Sequence, residues 1–273
     1  MQPSLGQRLI AYTIFFILGV LVLVPLAAGV ITAFKPRIIW VSSPPTWIFS
    51  PTLENFEFVL IQRNNLLHLR NSLIIASGSV TIALILGVPA AYALARFRFR
   101  GSKGLLQWLI SLRMIPPIVV ALPFYILFQT FDLRNTHIGM MMAYLTFLIP
   151  LVIWMMRGYF AEIPSAMEEC AMVEGYSRLG ALRKVVLPVV LPGIIATALL
   201  NFMFAWNEYF LALILGGRDT STLPAAAATY VGRAQVEWGN LFAINLIIMT
   251  PVIILTLILR RQLVKGLSLG AVD

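Results

Sequence analysis

Residues 9–34 read LIAYTIFFILGVLVLVPLAAGVITAF, a run without a single Asp, Glu, Lys or Arg. A hydrocarbon core about 30 Å thick is crossed by about 20 helical residues, so this run is long enough to span it. Five further runs follow: Asn71–Ala95, Leu105–Thr130, Ile138–Met156, Val189–Leu215 and Asn240–Leu259. Two of the six carry a charge, Arg113 in the third and Glu208 in the fifth. Strands of a membrane barrel would alternate in polarity over about ten residues. These runs are longer and continuous, and a helix satisfies all its backbone groups within the segment. The expectation is an all-α polytopic membrane protein with six transmembrane helices. Small residues at Leu26-Ala27-Ala28-Gly29 invite comparison with a cleaved secretory signal. The apolar region of a signal is 7–15 residues, so the first run is expected to stay as a span.

Composition agrees. Of 273 residues, 60% are hydrophobic and 11% charged, and mean hydropathy is +0.90. Soluble domains carry about a quarter of their residues as charges. An ordinary soluble enzyme, a disordered chain and a disulfide scaffold are thereby excluded. One cysteine, Cys170, forms no disulfide within the chain, and two histidines, His68 and His137, make no metal cluster. The histidines lie at span edges, where hydrogen-bonding or interface roles are expected. A net charge of +9 in so apolar a chain points to loop anchoring and not to nucleic acid. With the N-terminus inside, segments 1–8, 96–104, 157–188 and 260–273 hold twelve Lys/Arg; the similar length of outside sequence holds seven. Positive charge marks the cytoplasmic side, so both termini are expected there. The tightest cluster is Arg96, Arg98, Arg100 and Lys103. It is expected to set topology, with an anionic-lipid site as the alternative. Pro89, Pro116, Pro117, Pro123, Pro150 and Pro251 interrupt spans, as in a bundle that moves or lines a cavity. The whole chain, 1–273, is expected to be one permease-like domain without internal repeats.

The inside loop 157–188 has local order. Ser165 and Glu168 have the S-x-x-E spacing of a capping box, predicting a short helix from Ala166 to Glu174. Gly175 suits the left-handed position that ends it. Ser177 is placed to cap a second short helix through Lys184, before Pro188 and Pro192 lead into the fifth span. Met167, Ala171 and Glu174 share a face, with Glu168 and Met172 on another; Cys170 and Ala171 are small enough for close approach. From the residues alone this is either an amphipathic surface helix or a docking helix for a cytoplasmic partner.

At this loop the chain resembles the inner-membrane permease subunits of ATP-binding-cassette importers. Their signature, E-A-A, three residues and G, then I-x-L-P, stands here as Glu169-Cys170-Ala171, Met172-Val173-Glu174, Gly175, then Val185-Val186-Leu187-Pro188. Cys170 replaces an alanine and Glu174 stands for the usual Asp. Other segments resemble the carbohydrate branch, in the subunit similar to the second maltose-type permease. These are Pro51-Thr52-Leu53-Glu54-Asn55-Phe56, Asn71-Ser72-Leu73, Trp206-Asn207-Glu208, Leu223-Pro224-Ala225 and Lys265 to Val272. The resemblance implies a type I importer permease fold in a bacterial inner membrane. It also implies a second homologous permease, two ATP-binding subunits and an extracellular or periplasmic solute-binding protein. Glu168, Glu169, Cys170, Ala171, Glu174 and Gly175 would form the ATPase-docking loop. The chain lacks G-x-x-x-x-G-K-[ST], so it is expected to bind no cofactor, with ATP and Mg held by the partner subunits.

Glu208 is the acid within a span, and intramembrane charges face protein or water. Asn201, Trp206, Asn207 and Tyr209 lie near it in sequence, a mixture of amide, carboxylate and aromatic groups suited to a sugar or polyol. A bridge between helices is the plainer role. Arg113 either reaches the cytoplasmic interface or lines the same cavity. An ion-coupled secondary transporter of a small polar solute is the alternative function, but it needs several intramembrane acids and leaves the loop unexplained. No catalytic or metal-binding constellation can be placed, and the exact sugar stays open.

Overall fold

Apolar chain in a membrane must pair its backbone groups internally, and every long apolar run here does so as helix. The computed structural model describes residues 5–42, 44, 46–97, 99–232 and 236–269, with side chains through Gln262. Its helices are α1 (Leu5–Ala33), α2 (Glu54–Glu57), α3 (Asn65–Arg96), α4 (Ser102–Leu112), α5 (Pro117–Thr130) and α6 (His137–Glu162). Then come α7 (Ser165–Val173), α8 (Arg178–Ala181), α9 (Leu187–Trp206), α10 (Phe210–Leu215), α11 (Leu223–Ala227) and α12 (Trp238–Leu269). Among the described residues no strand forms beyond one antiparallel bridge, Val231 to Val236. Five helical stretches are long and apolar enough to span a bilayer, and the bent pair α4–α5 makes a sixth. Arg98 of the basic cluster, residues 1–4 and Gly270–Val272 of the C-terminal motif lie outside the described residues.

The chain divides into two compact units, Met1–Leu66 with Ala227–Met249, and Leu67–Ala226 with Thr250–Asp273. In the first, α1 leaves most of its apolar side chains exposed, as a lipid- or protein-facing span must. Its C-terminal end is closed by the Pro51–Phe56 segment. Asn55, buried, donates from Nδ2 to the carbonyls of Ala33 and Lys35, both at 2.8 Å; Thr52 N donates to Phe34 O; Phe56 packs on Phe34. The orphan carbonyls of a helix end thus find partners in a loop. In the second unit α6 forms the centre. Met140, Tyr144, Leu148, Val152, Met156 and Phe160 recur at helical spacing and are buried. α9 packs on α6, where Gly193 lies so close to the Tyr159 ring that a Cβ would overlap it.

Two spans break where the sequence reading had them continuous. The third run bends by 91° between α4 and α5. Two successive prolines remove donors and push the residue ahead of each out of helical geometry; Pro116 is extended and Pro117 opens α5 at its first position. In the fifth run α9 stops at Trp206 and α10 starts at Phe210. At its N-terminal end this span starts earlier than expected. Ser177 caps α8 through Gly180 N, as the sequence predicts. A wide, π-type turn at Leu182–Val186 then carries the helix directly into α9, just ahead of Pro188, which cannot donate. Likewise α6 continues past Arg157 to Glu162, shortening the loop expected over 157–188.

Candidate functional site

The segment expected to dock a partner is α7 with its flanks. It begins at Ser165 after Pro164, and no side chain caps it. The expected Ser165–Glu168 capping box is therefore absent, because Glu168 has a stronger partner elsewhere. Its Oε1 accepts from Arg96 Nε at 2.6 Å and its Oε2 from Tyr92 Oη at 2.8 Å. Arg96 also donates through Nη2 to Ile163 O at 2.8 Å. The pair is nearly enclosed, with 13% and 8% of the two side chains exposed. Charge-assisted bonds of this kind are short and about twice as strong as neutral ones. Glu168, expected as part of the docking surface, instead faces inward and ties α7 to the end of α3.

The C-terminal end of α7 obeys the local rule. Gly175 has φ +94°. Gly175 N donates to Met172 O and Tyr176 N to Ala171 O. Those two bonds make a Schellman motif, which needs the left-handed residue. Ala171 is buried, whereas Glu169, Cys170, Glu174 and Gly175 are exposed. Val173, Tyr176 and Leu179 stand exposed beside them. The result is a partly apolar and acidic exposed ridge between α6 and α9.

The second candidate lies within the spans. Arg113 and Glu208, 95 positions apart in sequence, line one cavity of about 570 Å³. Trp108, Phe124, Thr146 and Phe204 form its walls. The Arg113 guanidinium stacks on the Phe204 ring at 4.8 Å. Glu208 sits at the break between α9 and α10, half-buried, and its Oε1 accepts from Leu211 N at 2.8 Å. Its main-chain oxygen accepts from Tyr144 Oη at 3.3 Å. Asn207 closes α9, donating from Nδ2 to Met203 O. At the break the Glu208 carboxylate supplies an acceptor for an amide at the start of α10, while the Asn207 side chain adds a second donor to the Met203 carbonyl at the end of α9. A cavity with aromatic walls, a cation and a carboxylate presents apolar faces and directional polar groups together, as small-molecule sites do.

The other expected residues fall elsewhere. Trp206 is buried in the core and stacks on Phe202. Asn201 is fully buried, donates to Thr197 O, and its Oδ1 has no hydrogen-bond partner. Tyr209 is exposed. Trp108, Phe124, Thr146 and Phe204 were missed; Phe204 alone left a signal, one helical turn before Glu208 on the same face.

Two of the sequence motifs meet at the opposite end of the spans. Ser72 Oγ accepts from Leu223 N at 2.7 Å. Asn71 Nδ2 donates to the carbonyls of Asp219 and Ser221. With its amide so oriented, Asn71 Oδ1 can only accept, so His137 Nε2 donates to it at 3.0 Å. His68 Nδ1 donates to Ser221 O at 3.1 Å. Both histidines are hydrogen-bonding residues, as expected at span edges.

Residues 80–269 match the family model described as binding-protein-dependent transport system inner membrane component. A probable ABC transporter permease protein of Sinorhizobium fredii is 33% identical over 272 residues, 99% of this chain and 98% of the relative. A trehalose transport system permease protein of Mycobacterium tuberculosis is 37% identical over 205 residues, 74% of this chain and 75% of that one. Among solved structures, a chain of a bacterial ABC transporter involved in the import of the acidic polysaccharide alginate has the same fold. It superposes with TM-score 0.76 at 21% identity, covering 96% of this chain and 99% of the other.

Proposed function

The chain belongs to the binding-protein-dependent transport system inner membrane components, and on that premise we propose that it passes a sugar, polyol or sugar derivative into the cell. The solute arrives on an extracellular or periplasmic binding protein. A second, homologous permease completes the translocation path, and two separate subunits bind ATP with Mg and hydrolyse it. The chain acts as one permease domain with both termini cytoplasmic. The observation that carries this is the α7 ridge: exposed Glu169, Cys170, Glu174, Val173 and Tyr176 on a helix pinned from behind by the Arg96–Glu168 pair. Such a helix can receive a push from an ATPase and pass it to the spans without bending. The substrate class is supported by the trehalose relative and by the aromatic and polar cavity around Arg113 and Glu208.

The test is uptake into proteoliposomes containing the assembled complex, with binding protein outside and ATP within. Trehalose, maltose, a polyol and an acidic oligosaccharide are compared. Uptake of at least one that needs ATP and survives an ionophore is expected. Uptake that persists without ATP and collapses with the ion gradient would establish the ion-coupled alternative instead. Orientation is read separately, at exposed positions away from the α7 ridge. On a Cys170→Ser background, an impermeant maleimide should reach Arg100→Cys in inverted vesicles and not in intact cells, and should reach Arg218→Cys in the opposite preparation.

A further inference from the structure

The end of α3, the start of α4 and α6 near Arg157 border a second, open cavity of about 590 Å³. Its lining combines apolar Leu94, Ala95, Phe97 and Phe99 with the cations Lys103 and Arg157. We propose that this cavity holds the phosphate of an anionic phospholipid headgroup, with the upper acyl chains lying against the apolar residues.

The charge balance makes the case. The described lining contains two cations and no carboxylate. Arg157 is half-buried on an otherwise apolar face of α6, and neither it nor Lys103 has an ion-pair partner among the described residues. A cation held at the edge of the hydrocarbon is unfavourable unless an anion or water compensates it. Arg96, in the same stretch, has its own acid in Glu168. The helix start adds to the field. α4 begins after Gly101, at φ +93°, with no side-chain cap; Ser102 N donates to Phe99 O, and the amides that follow lie at the positive end of an eleven-residue helix. The arrangement is amphipathic, as a lipid requires, because apolar residues at and just beyond the end of α3 line the same space as cations from α4 and α6. Phe97 is itself held in place by Tyr92 and by the Arg178 guanidinium over its ring at 5.0 Å. A free phosphate would leave those apolar residues without a partner. The position also matters mechanically, since Phe97 adjoins Arg96, which grips the docking helix. Only the choice of leaflet depends on the orientation proposed above.

The assembled transporter is stripped of lipid and titrated with phosphatidylglycerol or phosphatidylcholine, and bound lipid is counted by native mass spectrometry. The wild type should retain phosphatidylglycerol preferentially, and excess inorganic phosphate should displace little of it. Lys103→Ala with Arg157→Gln should weaken phosphatidylglycerol retention on the order of tenfold and leave phosphatidylcholine unchanged. Lys103→Arg with Arg157→Lys should keep it. Equal retention of the two lipids by the wild type, complete displacement by inorganic phosphate, or undiminished retention by the neutralised variant would each overturn the proposal. The wild-type comparisons decide the matter if the neutralised variant does not assemble, and none of these readouts depends on transport.

Discussion

Two carboxylates in this chain sit in opposite circumstances. Glu168 is enclosed, paired with a guanidinium and hydrogen-bonded to a phenol. Glu208 is half-buried at a helix break, spends one oxygen on a backbone amide and borders an open cavity. The cation near Glu208 is occupied with an aromatic ring, whereas the cation near Glu168 is occupied with Glu168 itself. The first arrangement is complete without any ligand and has the character of a joint. The second leaves polar valence directed at a space. Under the function proposed above, the first would transmit position and the second would select what passes.

The largest effect is expected at the joint. Removing one member of a buried ion pair leaves the other charge unpaired, at about 3–5 kcal/mol. Glu168→Leu or Arg96→Leu should therefore lower the thermal stability of the complex and abolish coupling of ATP hydrolysis to transport. Replacing both, Arg96→Met with Glu168→Leu, should recover most of the stability, since apolar pairs often substitute for buried ions. If stability returns but coupling does not, the pair has a specific mechanical role. The neighbouring Glu169→Lys supplies the contrast. Glu169 is exposed, so its melting temperature should stay near wild type while ATPase co-purification falls. A large loss of stability in Glu169→Lys would erase the distinction between inward and outward faces of α7.

A smaller effect is expected where α7 ends. A Cβ added at Gly175 would meet nothing within 4 Å, and its φ is +94°, so the penalty of Gly175→Val is conformational alone. It should be roughly 1–2 kcal/mol, enough to distort the ridge without unfolding the spans. Gly175→Asn, which tolerates the left-handed region better, should retain more coupled transport than valine. Equal transport in the two variants would mean that the Schellman turn does not position the docking surface.

Legibility followed the range of the interaction. Gly175 and Ser177 were readable because a helix cap is decided within a few residues. The same local logic misassigned Glu168: S-x-x-E fits a capping box, but Arg96 is 72 residues away and offers a full charge. The six spans were readable from long apolar runs, four of them free of charge and two carrying one charge each. Their interruptions were partly so, because Pro116-Pro117 announces a bend, while Asn207-Glu208 breaks a helix with neither proline nor glycine. The cavity was least accessible. Glu208 and Arg113 stood out as charges in apolar runs, yet only folding brings them to one space, and it draws Trp206 and Asn201 into the core instead.

The smallest expected change in stability, and the finest test of the contrast, is at Glu208. Gln keeps an oxygen for the Leu211 amide and most of the shape; Leu removes that cap, at about 1 kcal/mol. Transport should therefore rank wild type, then Glu208→Gln, then Glu208→Leu, whether the residue contacts solute or merely holds α10. Rate alone does not separate those roles, so the measurement is the order of preference across a series of sugars and polyols in the assembled transporter. A residue facing solute changes that order, because solutes differ in the hydroxyls they present, whereas a cap scales every rate alike. Phe204→Leu supplies the internal reference: it alters the cavity wall and the Arg113 stack without touching the cap. If Phe204→Leu reorders the substrates and Glu208→Gln does not, the cavity selects through its aromatic wall and Glu208 belongs with Glu168 among the structural carboxylates. If both reorder them, the carboxylate and the ring act on the same solute.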